Sequence, residues 1–170
     1  MNIPVRLGIM MFLQYAIWGC WGPVLSEYLI GDLGYSGMQV GVVLSLLPLA
    51  TILSPFAGGQ LADRYFPAER VVGALQLTGG IILLLSARLT GFWLLSGLML
   101  LYSLCYAPTL ALTNAIAFTH LTHGEREFGR IRVWGTIGWI AAGLALSGWR
   151  LAMERAGQHA PGGDLLILAG

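Results

Sequence analysis

The chain has 170 residues, of which 56% are hydrophobic and only 10% are charged, and its formal net charge is +1. A soluble domain carries about a quarter charged residues, so the composition excludes an ordinary soluble globular domain and predicts a membrane protein. All nine basic residues are arginine and they are balanced by eight acidic ones, which argues against a basic surface for nucleic acid.

Five long stretches of the chain contain no charged residue. They cover residues 7–26, 33–62, 71–87, 89–124 and 133–149. A helix needs about 20 residues to cross the hydrocarbon core of a bilayer, and in lipid each segment must satisfy its own backbone hydrogen bonds. The sequence therefore predicts an all-α membrane protein with spans near 7–30, 38–62, 71–88, 92–120 and 131–150, and residues 165–170 as the start of a sixth. We expect residues 1–170 to form one transmembrane half-domain, truncated within that sixth helix.

The positions of the arginines predict the orientation in the membrane, because cytoplasmic loops are enriched in basic residues. A cytoplasmic N-terminus places six arginines on the inner side and three on the outer side. The inner set is Arg6, Arg64, Arg70, Arg126, Arg130 and Arg132, and the outer set is Arg88, Arg150 and Arg155. We therefore expect a multi-pass protein of a cell membrane, such as the bacterial inner membrane, with a cytoplasmic N-terminus.

Side chains that usually carry chemistry or bind metals are sparse. Cys20 and Cys105 lie inside apolar runs and are expected to pack rather than to form a disulfide. His120 and His123 are three residues apart but have no third ligand beside them, so we expect no metal site and no cofactor. An intramembrane enzyme is disfavoured, because the sequence contains no G-x-S-x-G or H-E-x-x-H motif.

The turn after the second predicted span reads GQLADR at 59–64. It resembles the G-x-L-x-D-[RK] signature of the major facilitator superfamily, although residues 65–69 depart from the rest of that signature. The resemblance implies a major-facilitator-type helical bundle, in which this aspartate interacts with the facing half of the transporter. Gly59, Asp63 and Arg64 are then expected to form a conformational-switch loop.

Three further segments resemble one family of this superfamily, the nucleoside–proton symporters. They read FLQYAIWGCW at 12–21, PTLALTNAIAF at 108–118 and RIRVWGTIGW at 130–139. The resemblance implies that the intact protein imports nucleosides by alternating access, with the proton as coupling ion. It also implies that Arg132, Thr136 and Trp139 contact the nucleoside, with tryptophan at a position where a member of the family has phenylalanine.

The spacing of these residues is also that of a site on one helix face. Arg132, Thr136 and Trp139 follow one another at i, i+4 and i+7 and therefore share a face. Gly135 and Gly138 lie on a different, small-residue face suited to contact with another helix. We predict that Arg132 faces a central cavity and donates hydrogen bonds to the solute.

Three residues on other helices complete the predicted site. Gln14 and Trp18 lie on the first helix and Asn114 on the fourth; aromatic walls with a few polar groups are typical of small-molecule sites. Each residue also has a structural alternative. Trp18 and Trp139 are also consistent with ordinary core or interfacial aromatics. Gln14 and Asn114 are consistent with hydrogen bonds between helices, and Arg132 with a topological charge that reaches the lipid headgroups.

Carboxylates are absent from the middle of every predicted span, since Glu27 and Asp63 lie near helix ends. A proton-coupled carrier usually has a carboxylate within the membrane, so we expect it in the missing C-terminal half of the same chain. That half, the nucleoside and the lipid bilayer are the predicted partners. A carrier of another polar solute such as a sugar, and a non-transporting membrane receptor or scaffold, remain alternatives.

Overall fold

A computed structural model of the chain describes the backbone of residues 2–64, 66–121, 124–157 and 163–170, and their side chains except at 55–64 and 124–126. All regular elements over these residues are helical. They are α1 (Ile3–Trp21), α2 (Leu25–Glu27) with a π-helical turn (Tyr28–Asp32), α3 (Gly37–Arg64), α4 (Ala68–Ser86), α5 (Phe92–His120), α6 (Gly124–Arg155) and α7 (Asp164–Ala169).

The first membrane segment is interrupted near its C-terminal end. α1 ends at Trp21 and helical structure resumes at Leu25, after Gly22 and Pro23. Proline lacks the N–H that a helix needs, and its ring clashes with the carbonyl four residues earlier. The predicted span at 7–30 is therefore a straight helix followed by a short extension that ends at Asp32.

α1 and α6 pack side by side, and glycines permit their close approach. A Cβ atom on Gly19 would lie 2.8 Å from the Trp139 Cα, and one on Gly138 would lie 3.0 Å from the Phe12 Cα. At these points the backbone of one helix occupies the space that a side chain would need, as in other small-residue contacts between membrane helices. Because Gly8 meets Trp134 and, further along the helix, Gly19 meets Trp139, the two helices run in the same direction.

α5 is the helix against which both α3 and α4 pack. Its Tyr102 and Tyr106 are fully buried, and their rings stack with centroids 5.5 Å apart. The Trp21 Nε1 donates a 3.2 Å hydrogen bond to the Tyr102 hydroxyl, which satisfies two polar groups that are costly to bury alone. This contact joins the C-terminal end of α1 to α5.

The surface of the bundle suits lipid. Among the described residues, four segments are long and apolar enough to cross a membrane: Ile3–Asp32, Gly37–Ser54, Ala68–Ser86 and Phe92–His120. Large apolar side chains such as Leu77 and Trp93 are 74% and 86% exposed, as expected for side chains that face hydrocarbon. α6 is not among the four, because tryptophan, glycine and threonine dilute its apolar stretch, so its span at 131–150 stays a prediction.

A bidentate ion pair fixes α7 to the end of α6. Arg150 Nε donates to Asp164 Oδ2 at 3.1 Å, and Arg150 Nη2 donates to Oδ1 at 2.8 Å. The Asp164 side chain is 5% exposed and that of Arg150 is 28% exposed. Gly163 precedes this pair with a positive φ of 83° and lies against the Ala87 backbone, where a residue with a Cβ atom would be strained.

Candidate functional site

Arg132 lies on the flank of α6, beside its contact face with α1. Its Cζ atom lies 4.0 Å from the centroid of the Tyr15 ring. This distance is within the range of a cation–π interaction. Tyr15 is buried and Arg132 is half-buried, so the guanidinium rests on an aromatic ring of α1 and is still reachable from one side.

Asn114 lies at the same depth as Arg132 on the neighbouring helix. The Phe118 and Phe128 rings stack with centroids 4.2 Å apart and planes 17° apart. These two residues therefore lie at about the same level of the bundle, one on α5 and the other on α6. Asn114 is four residues before Phe118, and Arg132 is four residues after Phe128. Because the helices run in opposite directions, each residue lies one turn, about 6 Å, further into the bundle than the stack.

Asn114 also has an unused polar atom. Its Oδ1 is buried and accepts no hydrogen bond from any described residue. Buried polar atoms nearly always have a partner, so an unsatisfied one requires an explanation. An acceptor of this kind, at the depth of a half-buried guanidinium on another helix, is suited to a solute that donates hydrogen bonds.

Thr136 and Trp139 continue along the same flank of α6, as their spacing predicts. Thr136 is exposed, and the Trp139 side chain is 38% exposed while its backbone contacts Gly19 of α1. Both side chains are therefore accessible to a solute or to another part of the protein.

Trp18 lines a cleft that opens between three helices. The Trp18 cleft has a volume of about 390 Å³ and lies between α1, α3 and α5. Leu110, in its wall, is one helical turn from Asn114. The residues that line it are Trp18, Trp21, Gly22, Leu44, Leu47, Pro48, Thr51 and Leu110. A cleft of this size lies in the range of small-molecule sites.

Gln14 lies elsewhere, within the helix core. Its side chain is 2% exposed. The Nε2 donates to Thr109 Oγ1 at 2.8 Å, and the Oε1 accepts from Gln76 Nε2 at 2.6 Å. The Tyr106 hydroxyl donates to the Gln14 backbone carbonyl at 2.6 Å. We call Gln14, Gln76, Tyr106 and Thr109 the Gln14 network; it joins α1, α4 and α5, and the contact of Gln14 with a solute stays a prediction.

The predicted switch loop falls within a part of α3 whose backbone alone is described. Gly59, Asp63 and Arg64 lie in the last turns of α3, outside the residues whose side chains are described. For the side chains that are described, no three His, Cys, Asp or Glu residues are grouped as metal ligands.

The sequence analysis did not identify Tyr15, whose ring lies against the Arg132 guanidinium. Its signal is modest: Tyr15, Trp18 and Gly22 share a face at i, i+3 and i+7. Gln76 of the Gln14 network was also missed, since a single glutamine in an apolar helix has no partner that sequence spacing identifies.

The chain matches the family model described as "Nucleoside H+ symporter" over residues 1–161. It is 43% identical over 145 residues to the "Putative nucleoside transporter YegT" of Escherichia coli (strain K12), covering 85% of this chain and 34% of that protein. It is 34% identical over 173 residues to the "Xanthosine permease" of the same organism, covering 99% of this chain and 41% of that protein.

A solved structure has the same fold. The "Crystal structure of nucleoside transporter NupG" superposes with a TM-score of 0.83 at 30% identity, covering 99% of this chain and 41% of that one. This likeness confirms the predicted fold class, an all-α membrane bundle of the major-facilitator type. The chain spans about 34–41% of the length of these relatives.

Proposed function

Because this chain belongs to the nucleoside H⁺ symporter family, we propose that it is the N-terminal part of a secondary transporter that imports nucleosides by proton symport. The names of its relatives support nucleosides as the solute. Membership of a symporter family also favours transport over an intramembrane enzyme. In this mechanism two halves rock against each other around a site near the middle of the membrane.

The placement of Arg132 carries the proposal. The guanidinium is held on the Tyr15 ring at 4.0 Å, at the depth of the unpaired Asn114 Oδ1. A guanidinium presents five donors in a rigid fork and remains charged at any physiological pH. It therefore donates to the ribose or carbonyl oxygens of a nucleoside, while Asn114 Oδ1 accepts from a hydroxyl or amino group.

The aromatic residues supply the second part of nucleoside recognition. Trp139 lies on the Arg132 flank of α6 and is 38% exposed, and Trp18 lines its cleft and is 37% exposed. Flat bases stack on such rings, and indole rings bring large contact area with little loss of conformational entropy. Thr136 adds a hydroxyl one turn deeper than Arg132. The fit of a tryptophan at 139 selects among nucleosides.

The remaining parts of the mechanism lie at the membrane surface and in the second half of the transporter. Gly59, Asp63 and Arg64 form the switch loop that couples the two halves. No Asp or Glu occupies the middle of a span in this chain, so the proton is carried by a carboxylate of the C-terminal half. The excess of arginine at the inner ends supports a cytoplasmic N-terminus in the inner membrane of a bacterium.

Uptake measurements test the function. The full-length gene product, expressed in cells that lack their own nucleoside uptake, is expected to accumulate radiolabelled uridine, and a protonophore is expected to abolish accumulation. Uptake without sensitivity to the protonophore would leave a nucleoside carrier but remove proton symport. A correctly inserted protein that accumulates neither uridine nor a radiolabelled hexose would favour the receptor or scaffold.

Competition separates the other carrier. Excess unlabelled adenosine is expected to reduce uridine uptake, while an equal excess of a hexose is expected to leave it unchanged. Accumulation of a radiolabelled hexose without accumulation of uridine would instead establish the alternative, a major-facilitator carrier of sugars.

A further inference from the structure

We propose that Tyr15 is a positioning residue: its ring holds the Arg132 guanidinium in the orientation that binds the solute, and Gly135 supplies the space that this arrangement needs. The inference rests on the proposed function of Arg132. On this proposal, the Tyr15 ring orders the Arg132 side chain before the solute binds.

The Tyr15 ring is a fixed support. Tyr15 is 9% exposed and belongs to a buried cluster that includes residues of α5 and α6. The cluster comprises Leu7, Met11, Tyr15, Ile116, Ala117 and Ile131. Because neighbours on two other helices enclose the ring, it cannot swing away from the guanidinium without opening the core.

Gly135 completes the arrangement from the side of α6. A Cβ atom at this position would lie 2.7 Å from Tyr15 Cδ2 and 2.8 Å from Arg132 Nη1. Real Cβ atoms essentially never lie within 3.0 Å of another non-bonded heavy atom. Any other residue at 135 must therefore displace the ring, the guanidinium or both, so glycine is required where the two groups meet.

The arrangement reduces the entropy lost on binding. A free arginine side chain samples many rotamers, and fixing one of them opposes binding. A guanidinium already held on a ring has lost that freedom in the unbound protein, which is the general advantage of preorganisation. From the strength of a partly desolvated cation–π contact, we expect removal of the ring to weaken solute binding about two- to thirtyfold.

The test is a double-mutant cycle in the purified full-length transporter, with uridine binding as the readout. Tyr15→Leu is expected to weaken binding, whereas Tyr15→Phe, which keeps the ring face, is expected to bind nearly as wild type does. In an Arg132→Ala background, Tyr15→Leu should cause no further loss, since its effect passes through Arg132. An equal loss in both backgrounds, or wild-type affinity in Tyr15→Leu, overturns the proposal.

Two control variants separate positioning from core packing. Leu7→Ala opens the same buried cluster two turns away from Tyr15 and should lower thermal stability without weakening uridine binding. If Tyr15→Leu does not fold, Gly135→Ala gives the same test: it should weaken binding, while Gly148→Ala, on the same helix with open space around it, should not. Wild-type affinity in Gly135→Ala contradicts the proposal.

The cycle also distinguishes the two levels of inference. If Arg132→Ala binds uridine as wild type does, the proposed solute contact is wrong and the positioning role falls with it. If Arg132→Ala weakens binding but neither Tyr15→Leu nor Gly135→Ala does, the solute contact stands and only the positioning role is wrong.

Discussion

The Gln14 side chain donates a 2.8 Å hydrogen bond to the Thr109 hydroxyl, which in turn donates to the Tyr106 carbonyl of its own helix at 2.6 Å. Both Gln14 and Thr109 are buried, and the contact joins α1 to α5 at the centre of the bundle. Polar pairs of this kind fix the register of membrane helices, because an unpaired amide in an apolar interior is costly.

Thr109→Val is expected to destabilise the full-length protein by about 0.5–2 kcal/mol, because the Gln14 and Gln76 amides both lose the acceptor that this hydroxyl supplies. Unfolding by heat or denaturant in detergent measures the change. Thr119→Val is the matched control on the same helix: its hydroxyl bonds only the Ala115 carbonyl of its own helix and is exposed. Equal losses in the two variants would contradict a role between helices.

The helices of this fold can largely be predicted from the sequence, and their ends only in part. The predicted span at 92–120 covers the same residues as α5, because charged or turn residues bound a long apolar run. α6 extends to Gly124–Arg155, well beyond the predicted 131–150, since charged turns at a helix end are solvated and do not stop it. The break at Pro23 divides a segment that hydropathy alone makes continuous.

The candidate site could be predicted less well than the helices. Sequence spacing tells which residues share a helix face, but not which residues of another helix pack against that face. Spacing places Arg132 and Thr136 together, and both lie on one flank of α6. The rotation of α6 about its axis, which brings Arg132 onto Tyr15, depends on backbone contacts at Gly19 and Gly138. Spacing identifies Gly138 as part of a small-residue face, but it does not tell which helix meets that face or at which residue.

Gly19→Ala tests these backbone contacts. The added Cβ would meet the Trp139 backbone, with its Cα at 2.8 Å, so the helices must separate. We expect a loss of stability of about 1–3 kcal/mol, typical of overpacking, together with weaker nucleoside binding, because Arg132 and Trp139 move with α6.

The control for this prediction is Gly148→Ala, where nothing lies within 4 Å of the new Cβ. Alanine favours a helix over glycine by about 1 kcal/mol, so this variant should be neutral or slightly more stable. A Gly19→Ala protein as stable as Gly148→Ala would show that the close approach of α1 and α6 is not required.

The ion pair between Arg150 and Asp164 contributes to stability. Asp164→Asn removes the charge that the bidentate Arg150 contact needs, and we expect a loss of about 1–3 kcal/mol. This range lies below that of fully buried pairs, because the Arg150 side chain is 28% exposed and solvent screens it. Glu154→Gln, an exposed carboxylate near the end of α6, should change stability little, and equal effects would assign no role to the pair.

The orientation is tested by labelling in intact cells. In a protein whose Cys20 and Cys105 are replaced by serine, Gly91→Cys is expected to react with a membrane-impermeant maleimide. Pro67→Cys should react only after the membrane is permeabilised. Both positions are exposed and flank helices, so they are matched in accessibility. The reverse pattern would place the N-terminus outside and contradict the arginine rule.

Arg132→Lys distinguishes a role of Arg132 in solute binding from a role in setting the membrane orientation. Lysine keeps the positive charge at position 132 but loses the planar fork of donors and much of the stacking on Tyr15. If Arg132 binds the nucleoside, loss of a charge-assisted hydrogen bond removes about 1.5–3 kcal/mol, about ten- to a hundredfold in affinity. Uridine binding by the purified full-length protein measures it, after thermal unfolding has shown that the variant is folded. Arg130→Lys, an exposed residue two positions earlier, should bind as wild type does. Wild-type affinity in Arg132→Lys and in Arg132→Ala would leave Arg132 as a charge that sets orientation.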